Sequence, residues 1–97
     1  MNYQFLSPAA VELREGIEYY ESQSPGLGLR FLDQVEAAIT LIQKYPDAWR
    51  QVSENHRMCR VKVFPYGLIY TKKDQLIQIS AVMHLHRDPI SWREKTS

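Results

Sequence analysis

The sequence predicts an α+β fold: an N-terminal strand, then an antiparallel helical hairpin packed on one face of a small antiparallel sheet that ends in a three-stranded meander. Three observations predict it. Two adjoining stretches of the first half repeat apolar residues at helical spacing, each opened by Ser-Pro. The second half changes to the two-residue period of strands. The short link over residues 23–26 makes the two helical stretches an antiparallel hairpin.

Residues 2–6 read as a first strand, with Tyr3 and Phe5 on one side. Ser7-Pro8 opens the first helix. Ser7 can cap free N–H groups, and Pro8 at the first helical position loses no hydrogen bond. Ala10, Leu13, Ile17 and Tyr20 form the apolar stripe, while Glu12, Glu15, Glu18 and Glu21 fall largely elsewhere. Gly16 in mid-helix costs about 1 kcal/mol against alanine, which predicts close packing there. Ser24-Pro25 repeats the start signal. Leu32, Val35, Ile39 and Ile42 form the second stripe, flanked by Leu27, Phe31, Ala38 and Leu41. Pro46 cannot continue that helix, so it ends near Tyr45.

Residues 57–64 alternate, with Cys59, Val61 and Val63 facing one way and Arg60, Lys62 and Phe64 the other. Pro65-Tyr66-Gly67 reads as a turn and residues 68–71 as the next strand. Lys72-Lys73-Asp74-Gln75 is a polar hairpin tip. Residues 76–86 form the longest strand, with Ile77, Ile79, Ala81, Met83 and Leu85 on the core face. Gln78, Ser80, Val82, His84 and His86 take the other face. Asp88-Pro89 breaks it, leaving a short tail through Trp92.

A chain of 97 residues, 24% charged and 44% apolar, suits a single soluble domain over residues 1–97. One cysteine, Cys59, cannot form an internal disulfide. The start lacks a basic, apolar leader pattern, and no apolar run approaches the roughly 20 residues of a membrane span, so the cytoplasm is the expected compartment. The net charge of +1 conceals an asymmetry. Residues 1–49 carry three basic and seven acidic side chains, a balance of −4. Residues 50–97 carry nine basic and four acidic, a balance of +5. Such a split is compatible with an anionic partner.

The sheet face away from the helices is expected to be polar and basic, gathering Arg60, Lys62, His84 and Arg87. Those residue types suit phosphate: arginine binds it bidentately, lysine as a point charge, and histidine exchanges a proton near neutrality. An ordinary solvated sheet face would show the same residues. His84 and His86 could touch one metal ion, but Cys59 is expected on the core side and no CxxC or HExxH spacing exists, so no metal site is expected. Tyr66 and Tyr70 flank the basic strands, and Trp92 lies in the tail; aromatics so placed either stack on bases or close the rim of a core, and the rim is preferred for Tyr66 and Trp92. Tyr19 beside Glu18 is either a partner contact or simply solvated. Pro25-Gly26-Leu27-Gly28 has too few glycines for a phosphate loop and suits a hairpin turn.

Several stretches taken together resemble the RelE/ParE toxin superfamily over residues 3 to 93. They are Glu18-Tyr19-Tyr20-Glu21, Pro25-Gly26-Leu27-Gly28 with Arg30-Phe31, Phe64-Pro65-Tyr66 with Ile69-Tyr70, and Ala81-Val82-Met83-His84 followed by Arg87-Asp88-Pro89 and Trp92. The resemblance implies the toxin of a type II toxin–antitoxin pair, in a complex with a cognate antitoxin that silences it, and no cofactor. RelE-like members cut mRNA on the ribosome, whereas ParE-like members are implicated in poisoning DNA gyrase. The tail, Arg87-Asp88-Pro89-Ile90-Ser91-Trp92, is closer to the ParE-like pattern. The expected function is therefore gyrase inhibition by binding, with growth inhibition and plasmid stabilisation as its consequences. Arg60, Lys62, Tyr70, His84, Arg87 and Trp92 would contact the target, and Tyr19, Phe31, Phe64 and Tyr66 the antitoxin. The alternatives are an mRNA endonuclease using Arg60, Lys62, His84 and Arg87, and a non-toxic binding module of the same fold.

Overall fold

The computed structural model describes residues 1–87. Strands β1 (Asn2–Phe5), β2 (Arg50–Gln51), β3 (Arg57–Arg60), β4 (Tyr66–Lys73) and β5 (Leu76–His84) form one five-stranded sheet in the order β1-β5-β4-β3-β2. Helices α1 (Ser7–Gln23) and α2 (Leu27–Lys44) form the hairpin that packs on it. The expected hairpin-on-sheet arrangement is present, but the sheet is mixed rather than antiparallel. β1 runs parallel to β5, with Tyr3 opposite Ile77 and Phe5 opposite Ile79. The helical layer lies between these strands in the chain, and such a crossover can return a strand in either direction. β2 is too short to leave a periodic signal.

Pro8 sits in the first turn of α1 as expected, but Ser7 does not cap it. Leu6 holds the capping position without a side-chain hydrogen bond, and Ser7 is already helical. Ala9 is buried where the stripe pointed to Ala10, which is exposed. Gly16 behaves as predicted: a Cβ there would lie 2.8 Å from the Phe31 ring.

The second helix starts at Leu27, later than Ser24-Pro25 implies. Gly26 precedes it at φ 85°, a conformation open to glycine at little cost. The Glu21 carboxylate, at the end of α1, accepts the Gly26 and Gly28 N–H groups at 3.0 Å each, satisfying donors at the start of α2. One helix therefore caps the other. Phe31, Val35, Ala38, Ile39 and Ile42 fill the core beneath, and α2 gives way to Tyr45 as expected.

The meander departs further from the two-residue period. β3 stops at Arg60, and Tyr66 and Gly67 belong to β4 rather than to a turn. Val63, expected on the core face, is 81% exposed, while Phe64 turns inward. Lys72 and Lys73 are paired in β4, so the hairpin tip is Asp74-Gln75, with Asp74 at φ 57°.

A bulge decides the rest. Ile69 pairs with Ala81 but Tyr70 pairs with Ile79, leaving Ser80 as an extra residue in β5. One extra residue reverses every later side chain. Ile77 and Ile79 face the helices, and beyond the bulge so does Val82. Ala81 and Met83 turn to the far side, where Ile69, Val52, Met58 and Leu85 join them in a second apolar cluster. The far face is thus not the uniformly polar surface expected.

Tyr70 is buried in the main core, and its hydroxyl donates to the Pro46 carbonyl at 2.6 Å. Cys59 lies in the same core, where burial pushes its thiol up to about 11. Since the thiolate is the reacting species, the folded chain is expected to resist a thiol reagent at neutral pH and to react once unfolded. Rapid labelling of native protein would contradict this. No helix among the described residues is long and apolar enough to cross a membrane.

Candidate functional site

At one end of the sheet the β3–β4 loop, the end of β5 and the middle of α1 converge. β1 ends at Phe5, and Leu6 donates to the Ile79 carbonyl as the chain enters α1. Past that point the outer edge of β5 meets a helix instead of a strand. Glu12 of α1 fills the gap, its carboxylate accepting the Val82 N–H at 2.9 Å. A buried backbone donor is thereby satisfied.

His84 lies opposite Tyr66 in the β4–β5 ladder, with ring centroids 5.0 Å apart. Its Nδ1 accepts the N–H groups of His86 at 3.2 Å and Arg87 at 3.1 Å. These bonds assign the proton of the neutral imidazole to Nε2. The Arg87 guanidinium donates to the Tyr66 hydroxyl at 3.4 Å. Tyr20 adjoins this group. Burial raises its phenol above the usual range, as do Tyr66 and Tyr19, against an opposing effect of Arg87.

A cleft of about 470 Å³ opens between these side chains and α1, lined by Glu12, Glu15, Glu18, Tyr19, His84 and Arg87 among others. Three carboxylates thus face one guanidinium and one imidazole. A nucleic-acid phosphate approaching His84 through this cleft would meet the glutamates, and the repulsion works against binding.

The four residues expected on one face are divided. His84 and Arg87 come together with Tyr66 at the cleft. Arg60 does not line it. Cys59 fills the main core and Met58 the far cluster, so strand alternation sends Arg60 to the far side with Met58. Lys62 is exposed in the β3–β4 loop. The Ser80 bulge causes this separation, since without it His84 would share the far face with Arg60.

Burial revises two other expectations. Tyr70, assigned to the target, is 1% exposed and holds Pro46. Phe31, Phe64 and Tyr66, assigned to the antitoxin, are core residues, with Phe31 inaccessible between the Phe64 and Tyr66 rings. Of that set Tyr19 is the exposed member. Trp92 lies outside the described residues. The sequence reading missed Glu12, whose contact spans 70 positions and leaves no local signal. It also missed Val63 as a surface residue, because alternation placed it inside.

A second polar hollow, about 260 Å³, lies near β2 and the β2–β3 turn. Its cations are engaged: Arg57 donates to the Trp49 carbonyl at 2.7 Å, and Lys72 pairs with Asp47 at 3.4 Å.

The sequence family described as "ParE toxin of type II toxin-antitoxin system, parDE" matches residues 3–89. Among solved structures, a chain of the "Chromosomal ParDE TA system from P. aeruginosa" is similar, with a TM-score of 0.75 and 18% identity. The match covers 87% of this chain and 95% of that one. At that identity the likeness concerns the fold. No curated protein matches the sequence.

Proposed function

The chain belongs to the ParE toxin family and is a toxin component of a type II toxin–antitoxin system, and on that premise we propose that it inhibits DNA gyrase by binding and is silenced by a cognate antitoxin. The observation that favours binding over RNA cleavage is the division of the basic residues. Arg60 and Lys62 do not line the cleft that holds His84 and Arg87, and three glutamates do. A nuclease needs its proton-transfer group and its phosphate-stabilising cations around one phosphate. An inhibitor that acts by occupancy has no such requirement.

The antitoxin reading is supported by apolar side chains that the hairpin leaves in solvent. Val11 and Tyr19 on α1 are 40% and 51% exposed, and Leu29 on α2 is 62% exposed. Residues of this kind suit a partner chain that covers them.

The test is expression of the chain alone, followed by growth, gyrase supercoiling and ribosome-bound mRNA cleavage assays. We expect arrested growth, inhibited supercoiling and intact mRNA, with growth restored by the antitoxin. Cleavage products that vanish on His84→Ala would replace this reading with the endonuclease. Unimpaired growth would leave a binding module without toxicity.

A further inference from the structure

We propose that the β3–β4 loop, residues 61–65, is a rigid target-binding prong whose apolar tip is Val63 and whose basic shoulder is Lys62 with Arg60. The inference rests on the toxin reading above and names the surface that carries it.

Among the described residues Val63 and Asp74 are the non-glycine residues at positive φ, and Val63 is the β-branched one. It has φ 75°, a left-handed conformation costly for a β-branched residue, and it is 81% exposed. The surrounding contacts hold it there. Val61 and Phe64 both point into the core, and Phe64 packs edge-on to Tyr20 at 4.8 Å and to Phe31 at 5.2 Å. The loop is cinched by Val61 N–H to the Tyr66 carbonyl at 2.9 Å and Tyr66 N–H to the Phe64 carbonyl at 2.8 Å. With both neighbours anchored, the two residues between them must turn outward. Strain of this kind persists only where the surroundings over-determine it, and it concentrates at functional positions. A side chain already fixed in its bound position loses little freedom on docking.

The chemistry of the tip selects a protein partner. Valine offers nothing to a phosphate and cannot stack on a base, whereas an apolar pocket with an acidic rim would take Val63 and meet Lys62 and Arg60. The exposed apolar residues of α1, Val11 and Tyr19, stand instead among Glu12, Glu15 and Glu18. Two apolar surfaces of opposite charge suit two partners. The acidic hairpin falls to the antitoxin, which leaves the basic prong for the target.

The experiment titrates the full chain and its Val63→Asn, Val63→Gly and Lys62→Glu variants against gyrase holoenzyme in a supercoiling assay, with thermal unfolding, antitoxin binding and DNA binding measured in parallel. Asparagine and glycine both tolerate the left-handed conformation, so the unfolding temperature should be unchanged or higher. Inhibition should weaken by about tenfold or more for all three variants, as expected for a central contact. Antitoxin binding should be unaffected. Wild-type potency in the Val63 variants would overturn the prong while leaving gyrase inhibition standing. A wild type that fails to inhibit gyrase overturns both readings. Variants that lose antitoxin binding but still inhibit gyrase would reassign the loop to the antitoxin and overturn the proposal. A loss confined to nucleic-acid binding would overturn it also.

Discussion

Replacing Phe31 by alanine is expected to cost about 3–5 kcal/mol, the range for truncating a fully buried aromatic side chain. Phe31 has no exposed surface, and its ring lies 5.1 Å from Tyr20, 5.2 Å from Phe64 and 4.8 Å from Tyr66. Gly16 leaves the space the ring occupies against α1. Removal therefore opens a cavity between both helices and the sheet, which rigid neighbours cannot close. A domain of this size has a total stability of order 5–15 kcal/mol, so the loss is a large share of it. Urea unfolding should show a much lower midpoint with an unchanged slope. Phe31→Leu should retain part of the stability. A loss below about 1 kcal/mol for the alanine variant would show that the aromatic cluster is not the centre of the core.

Gly28→Val should destabilise the hairpin by about 3 kcal/mol, the upper end of ordinary overpacking. A Cβ at position 28 would lie 2.7 Å from the Ile17 carbonyl oxygen and 3.1 Å from the Glu21 side chain. The first contact is with backbone, which cannot rotate away. Moving α2 outward to relieve it would also break the bond from the Gly28 N–H to Glu21. Gly26→Ala is the informative comparison. Nothing lies within 4 Å of a Cβ there, so its cost comes from φ 85° alone. About 1–2 kcal/mol is expected for that conformation. If the two variants unfold at the same midpoint, the close helix crossing does not contribute as argued.

Much of this protein was legible in its sequence because helical periodicity is local. The spacing of Val35, Ile39 and Ile42 defines a buried stripe whatever the helix packs on, and Gly16 announced a close approach before its neighbour was known. Apart from β2, the strands were legible as elements but not in their faces. A two-residue period has no memory beyond one step, so a single added residue inverts everything after it.

Ser80 is that residue in β5. Nothing in its own neighbourhood marks it, because a bulge exists only relative to the partner strand, here between Ile69 and Tyr70 of β4. The same holds at Val63 and Phe64, where the aromatic demand of Phe31 and Tyr20 outweighs alternation. The sequence by itself therefore determined the helices, the strands other than β2 as segments, the core stripe of α2 and the division between an acidic first half and a basic second half. Tertiary structure alone decided that β1 runs parallel to β5, that His84 faces the glutamates of α1 instead of Arg60, and that Val63 stands in solvent. Those three outcomes depend on which segments pair and in what register, and pairing is an energy of contacts between residues far apart in the chain.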